Sequence, residues 1–88
     1  MKSRTVPSFW DCHRRLPAHI REAARKAFRL FQDSPAHPSL SLERLIRGPG
    51  FWSVRVTRDY RAVGVRDGDE MVWIWIGPHD EFDRQFSR

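Results

Sequence analysis

Apolar residues recur at three- and four-residue steps in the first third of the chain and at two-residue steps in the last. Residues 2–6 suit a short strand that Pro7 ends. Phe9, Cys12 and Leu16 then share one face of a brief helix running through Leu16, with Ser8 placed to cap it. Pro17 suits the first turn of a second helix, whose apolar stripe is Ile20, Ala24, Ala27, Phe28 and Phe31. Ser34-Pro35 and His37-Pro38 end that helix near Asp33. From residue 39 to 47 the periodicity fades, and Leu40, Leu42 and Leu45 suit an extended segment laid on the core. Gly48-Pro49-Gly50 is a turn that divides the chain into two halves.

Beyond that turn the pattern predicts a three-strand meander. Trp52, Val54 and Val56 alternate with Ser53, Arg55 and Thr57 over residues 51–57. A second strand covers about Tyr60 to Arg66, and Asp67-Gly68-Asp69 turns the chain tightly into a third, Glu70 to Gly77. The third strand's Met-Val-Trp-Ile-Trp-Ile run has no polar face, so it is central or covered on both sides. Trp73 and Trp75 therefore read as packing rather than as a platform for bases. The whole describes one α+β domain over residues 1–88, too short for a second core.

Composition adds a sign to this frame. Sixteen Lys and Arg residues against eleven Asp and Glu give a net charge of +5, and all the basic residues but Lys2 and Lys26 are arginine. Arginine's planar fork suits phosphate and carboxylate, which points to nucleic acid or an acidic protein partner. Arg21, Arg25 and Arg29 form a four-residue stripe on the second helix, either a solvated face or part of such a contact. Cys12 is the one cysteine, so no internal disulfide forms, and its place on the apolar stripe reads as a packed thiol. Cys12, His13, His19 and His37 match no metal-site spacing, and no metal or cofactor is expected. Met1 to Pro7 lacks the apolar core of a signal peptide, and no apolar run approaches the ~20 residues of a membrane span. The expected location is cytoplasmic, with no membrane partner.

The stretch from Trp52 to Val63 resembles the RelE/ParE superfamily of bacterial toxins: an aromatic, a strand with alternating cations, a short turn, then Tyr60-Arg61 leading the next strand. The tail Trp75-Ile76-Gly77-Pro78-His79-Asp80-Glu81-Phe82-Asp83 is similar to the family's glycine-ended strand followed by a histidine- or arginine-bearing segment. The helical hairpin, the Pro-rich break and the meander follow the family's order. The resemblance implies an α+β RelE/ParE-like fold, with a short N-terminal strand and helical hairpin packed on a twisted, mainly antiparallel sheet. It also implies a toxin of a type II toxin–antitoxin system, bound by a cognate antitoxin. RelE-like members cut messenger RNA, usually on the ribosome, whereas ParE-like members inhibit DNA gyrase. A third reading is a toxin fold that has lost its activity and only binds its antitoxin.

Metal-free RNA cleavage uses the ribose 2′-hydroxyl as nucleophile and needs cations at the phosphate with an acid or base nearby. The resemblance assigns Arg61 to the scissile phosphate and Arg55 to a second basic position of the family. His79 is the histidine beside the meander, and an imidazole can donate or accept a proton at cellular pH. Glu81 is the candidate to orient it or to act as base, unless Asp80 and Glu81 simply form the acidic first turn of a terminal helix. Arg58, Ser53 and Arg66 are the expected RNA contacts. Phe82 stands where many RelE-like toxins carry a tyrosine, which implies either that His79 carries the proton transfer alone or that the protein is a weak or inactive nuclease. Strand parity sets a condition: a regular two-residue turn at Arg58-Asp59 sends Arg55 and Arg61 to opposite faces. Convergence therefore predicts an odd turn or a bulge.

Overall fold

In a computed structural model, which describes residues 1–46 and 48–86, the elements follow the predicted order. Arg47, at the end of the predicted extended segment, and residues 87–88 of the tail lie outside the described residues. Strand β1 (Lys2–Thr5) leads into helices α1 (Pro7–His13) and α2 (Ala18–Asp33), then a 3-10 turn at Pro38–Leu40 and the two-residue strand β2 (Glu43–Arg44). The meander is β3 (Phe51–Thr57), β4 (Tyr60–Asp67) and β5 (Glu70–Pro78), and it runs without a loop into helix α3 (His79–Phe86). The sheet order is β1-β5-β4-β3-β2, with β1 parallel to β5 and every other pairing antiparallel.

Two local expectations are corrected. Ser8 does not cap α1: the helix starts earlier, at Pro7, after Val6, because proline at the first position is pre-set for a helix. The Ser8 hydroxyl donates instead to the Ile74 carbonyl at 2.9 Å and ties α1 to β5. The segment after Pro38 is not simply extended. His37 Nδ1 accepts from the Ser39 amide at 3.2 Å, Pro38 fixes the next φ, and the chain turns before pairing briefly with β3.

The sheet is covered on both faces, which explains the apolar character of β5. On one face α1 and α2 bring Phe9, Ile20, Ala24, Ala27 and Phe31 onto Val54, Ala62, Met71, Trp73 and Ile76. Trp73 is 1% exposed, with the Phe28 and Phe31 rings 4.9 and 5.2 Å away. Gly64 makes this possible, since a Cβ there would come within 2.7 Å of Met71 and 3.0 Å of the Trp73 ring. On the opposite face α3 folds back and packs Phe82 and Phe86 against Trp75 and Val63. Gly68, with φ +64°, opens the two-residue turn between β4 and β5, as the Asp-Gly signal predicts.

His13 sits half-buried at the end of α1 against the Phe9 and Trp10 rings. Burial lowers its pKa, and the charge of Arg21 lowers it further. In the unfolded chain the group takes up a proton near the ordinary pH of ~6.5, while the folded chain resists it. Its contribution to stability is therefore intact above that pH and is lost as pH falls through ~6.5 toward the depressed folded value. The melting temperature is expected to fall between pH 7.5 and 5.5, and His13→Gln to shrink that fall. Thermal melts of both proteins at the two pH values measure the difference.

Candidate functional site

The central question of strand parity is answered by a bulge. The β3–β4 turn is the two-residue Arg58-Asp59, with Thr57 opposite Tyr60, but the register shifts between Arg55 and Thr57. Val56 is the extra residue, so Arg55 stands directly opposite Arg61. Directly paired residues of an antiparallel ladder share a face. The two guanidiniums therefore belong to the face that α3 partly covers.

They are not equivalent on that face. Arg55 is exposed, whereas Arg61 is only 4% exposed. Arg61 Nη2 donates to the Ser53 hydroxyl at 2.9 Å and to the Ser41 carbonyl at 3.1 Å, and it lies 4.0 Å from the Glu43 carboxylate. Its Cζ sits 5.3 Å from the centre of the Phe82 ring, a cation–π contact. Its Nε is buried without a partner. Burial pushes the Arg61 pKa down; Glu43 raises it, Arg55 lowers it and Asp83 raises it. A guanidinium stays charged under such shifts, so the site has a cation built into its floor.

His79 opens α3, its backbone N–H donating to the Asp59 carbonyl at 2.7 Å, which pins the imidazole beside the β3–β4 turn. Its Nδ1 is 3.1 Å from Asp83 Oδ2, one helical turn on, and its ring lies 5.9 Å from Phe82. Phe82 thus stands between His79 and Arg61, and Asp83 acts on both. Asp83 is the residue that the sequence reading missed. The signal for it was the four-residue spacing from His79 on a helix.

The remaining sequence candidates fall in different places. Arg58 is exposed in the turn whose Asp59 carbonyl holds His79. Ser53, expected at the RNA, is instead fully buried and its hydroxyl accepts from Arg61. Arg66 is also displaced: it pairs with Met71 at the other end of β4, donates to the Gly68 carbonyl, and lines a pocket with Trp52 and Met71 on the helical side. Glu81 is carried on another flank of α3, in a cleft with Cys12, Arg15 and Tyr60, and does not join His79 and Asp83.

Residues 18–84 match the model of the ParE-like toxin domain, about three-quarters of the chain. The chain belongs to this family. As a toxin of the RelE/ParE superfamily of type II toxin–antitoxin systems, it shares its fold with solved toxin structures. The YoeB/ParE toxin from Agrobacterium tumefaciens is 26% identical, with a TM-score of 0.67 over 90% of this chain and 99% of that one. A chain of the RelB-RelE antitoxin–toxin complex from Methanococcus jannaschii superimposes with a TM-score of 0.76 at 15% identity, covering 92% of this chain and 95% of that one. The toxin–antitoxin complex RelBE2 from Mycobacterium tuberculosis gives 0.72 at 21%, covering 89% and 96%. No curated protein sequence matches the chain.

In this toxin domain the Ser53 hydroxyl is the buried acceptor that holds the Arg61 fork. Ser53→Ala is expected to destabilise the fold by about 1–3 kcal/mol, the usual cost of leaving a buried donor short of a partner. Urea titration measures it, and Ser53→Thr, which keeps the hydroxyl, is expected to recover part of the loss.

Proposed function

We propose that the toxin is a metal-independent endoribonuclease acting on messenger RNA. The observation that carries this reading is the convergence of Arg55, Arg61 and the His79–Asp83 pair on one face of the sheet. RNA is the fitting substrate because its 2′-hydroxyl supplies the nucleophile that the protein lacks. The 2′-oxygen attacks phosphorus, the bond to the 5′-oxygen breaks, and the products are a 2′,3′-cyclic phosphate and a 5′-hydroxyl. The nucleophile's proton leaves to water. The departing 5′-oxygen takes the Nε2 proton of a doubly protonated His79 ring, whose Nδ1–H donates to Asp83 and whose Nε2 is turned outward, leaving the neutral imidazole.

The two arginines divide the electrostatic work. Arg55, exposed, can reach a phosphate oxygen and neutralise charge as it gathers there. Arg61 acts from below through its field, since the side chain is buried and its Nη2 is already engaged by Ser53 and Ser41. Arg58, in the neighbouring turn, suits the adjoining phosphate. A cognate antitoxin is the expected protein partner, as the RelB-RelE and RelBE2 complexes are toxin–antitoxin assemblies.

Inducible expression of the toxin with parallel measurement of message integrity and DNA supercoiling tests this. Rapid loss of intact messages is expected. His79→Ala should slow cleavage by ~10²–10⁴, the usual size of an acid–base contribution. Arg55→Ala should weaken RNA binding and cleavage together, and Glu81→Gln should leave the cleavage rate unchanged. Intact messages with gyrase-dependent DNA damage would replace the nuclease by a gyrase inhibitor, and unaffected growth would leave only antitoxin binding.

A further inference from the structure

The outer edge of β3 is covered over only part of its length. Strand β2 pairs with Trp52 and Ser53 and goes no further, so no strand of the described residues lies alongside Val54 to Thr57. The Val56 bulge falls on this open stretch. A groove of about 460 Å³ runs between the stretch, α2 and the turn at Pro38–Leu40. Where α2 borders it, Ala23 and Ala27 are small and leave room above the helix.

Two cations stand on this groove, Lys26 of α2 and Arg55 of β3, and no carboxylate lines it. Both are exposed, and neither forms an ion pair among the described residues. Glu22, the carboxylate one turn before Lys26, is held by Arg25 instead. Thr57 adds a donor: its Oγ1 accepts from the Asp59 N–H at 3.2 Å, which leaves its own O–H to give. Ser39 adds none, because its hydroxyl and its backbone N–H both turn to His37 Nδ1. The groove therefore offers exposed positive charge and a hydroxyl proton to an anion.

Arg55 joins this groove to the cleavage cluster. It stands opposite Arg61 in the ladder, and it also lines the groove with Lys26. With no strand fencing the edge, a chain bound at the cluster can continue over it. We infer that the groove is a second phosphate subsite for the RNA strand, in which Lys26 and the Thr57 O–H take a phosphate beyond the one at Arg55. The inference rests on the RNA-binding half of the ribonuclease reading and extends it from the scissile phosphate to the path of the strand. A lysine ammonium meets a phosphate as a point charge and needs no fixed orientation, which suits a flexible single strand. An acidic peptide added as a further strand fits less well, because the bulge at Val56 interrupts the regular spacing that strand addition needs. Lys26 does not touch the reacting atoms. It is a positioning residue, holding substrate and transition state alike, so its loss raises KM and leaves kcat in place.

The test measures binding of the full toxin to two uncleavable probes, 2′-O-methyl oligouridines of three and eight nucleotides, across a range of salt concentrations. The longer probe is expected to bind more tightly than the shorter. Lys26→Ala, checked for folding by its melting temperature, should reduce the slope of log affinity against log salt by ~0.7 for the longer probe, the value of one single-strand phosphate contact. At about 0.1 M salt that is a roughly fivefold loss. Lys26→Arg should restore most of it, and Arg29→Gln, an equal loss of charge on the other flank of α2, should leave binding unchanged. A salt slope indifferent to Lys26→Ala, an equal loss in Arg29→Gln, or a polyglutamate peptide bound as tightly as the longer probe and through Lys26 would each overturn the inference. Because the probes cannot be cut, the two readings separate. Binding through Lys26 by a toxin that cuts no RNA sinks the nuclease and keeps the subsite. Cleavage whose KM ignores Lys26 sinks the subsite alone.

Discussion

The fold depends on burying both sides of β5. Trp73 on one side requires the Phe9, Phe28 and Phe31 cover of α1 and α2, and Trp75 on the other requires Phe82 and Phe86 of α3. Each aromatic side chain contributes more by burial than a typical neutral hydrogen bond does. The strand also occupies the sheet between β1 and β4, so the same nine residues bind the N-terminal strand to the meander. Removing either cover would expose a row of tryptophan and isoleucine that no other element can hide.

That double cover sets the character of the functional face. A helix folded over a sheet face turns polar strand positions into interior ones. Ser53 and Arg61 lie where alternation assigns the solvent side, yet both are buried, and Phe82 closes over Arg61. The guanidinium is then tolerable only because Ser53, the Ser41 carbonyl, Glu43 and the Phe82 ring surround it. Losing one partner of such a group costs more than the pair contributes, which makes the cluster rigid. Rigid, pre-placed charge is what stabilises a transition state.

Much of this was legible from residues alone. The helix stripes, the three strands of the meander, the Gly68 turn and the packing role of Trp73 follow from period and turn chemistry. Parity at the β3–β4 hairpin followed only from the resemblance, which required an odd turn or a bulge, and the bulge is there; its place at Val56 has no marker in composition, since Val56 looks like any strand valine. The burial of Ser53 and the displacement of Arg66 and Glu81 also depend on where α3 lands. Phe82 was legible as the absence of a hydroxyl, but its contact with Arg61 is a tertiary event. Asp83 could have been found from its spacing to His79 once a helix was assigned to the tail.

The parallel pairing of β1 with β5 joins Lys2 to Glu70 across most of the chain. Contacts of such long sequence separation form late, after the loop between them has closed. During synthesis α1 and α2 emerge before any sheet exists, with Phe9, Ile20 and Phe31 still lacking their partners. His79 follows β5 directly, so neither the imidazole nor the cover over Arg61 is in place until the sheet strand that supports them has been made. The same connectivity that makes the finished molecule compact leaves the unfinished one without its arginine–histidine cluster.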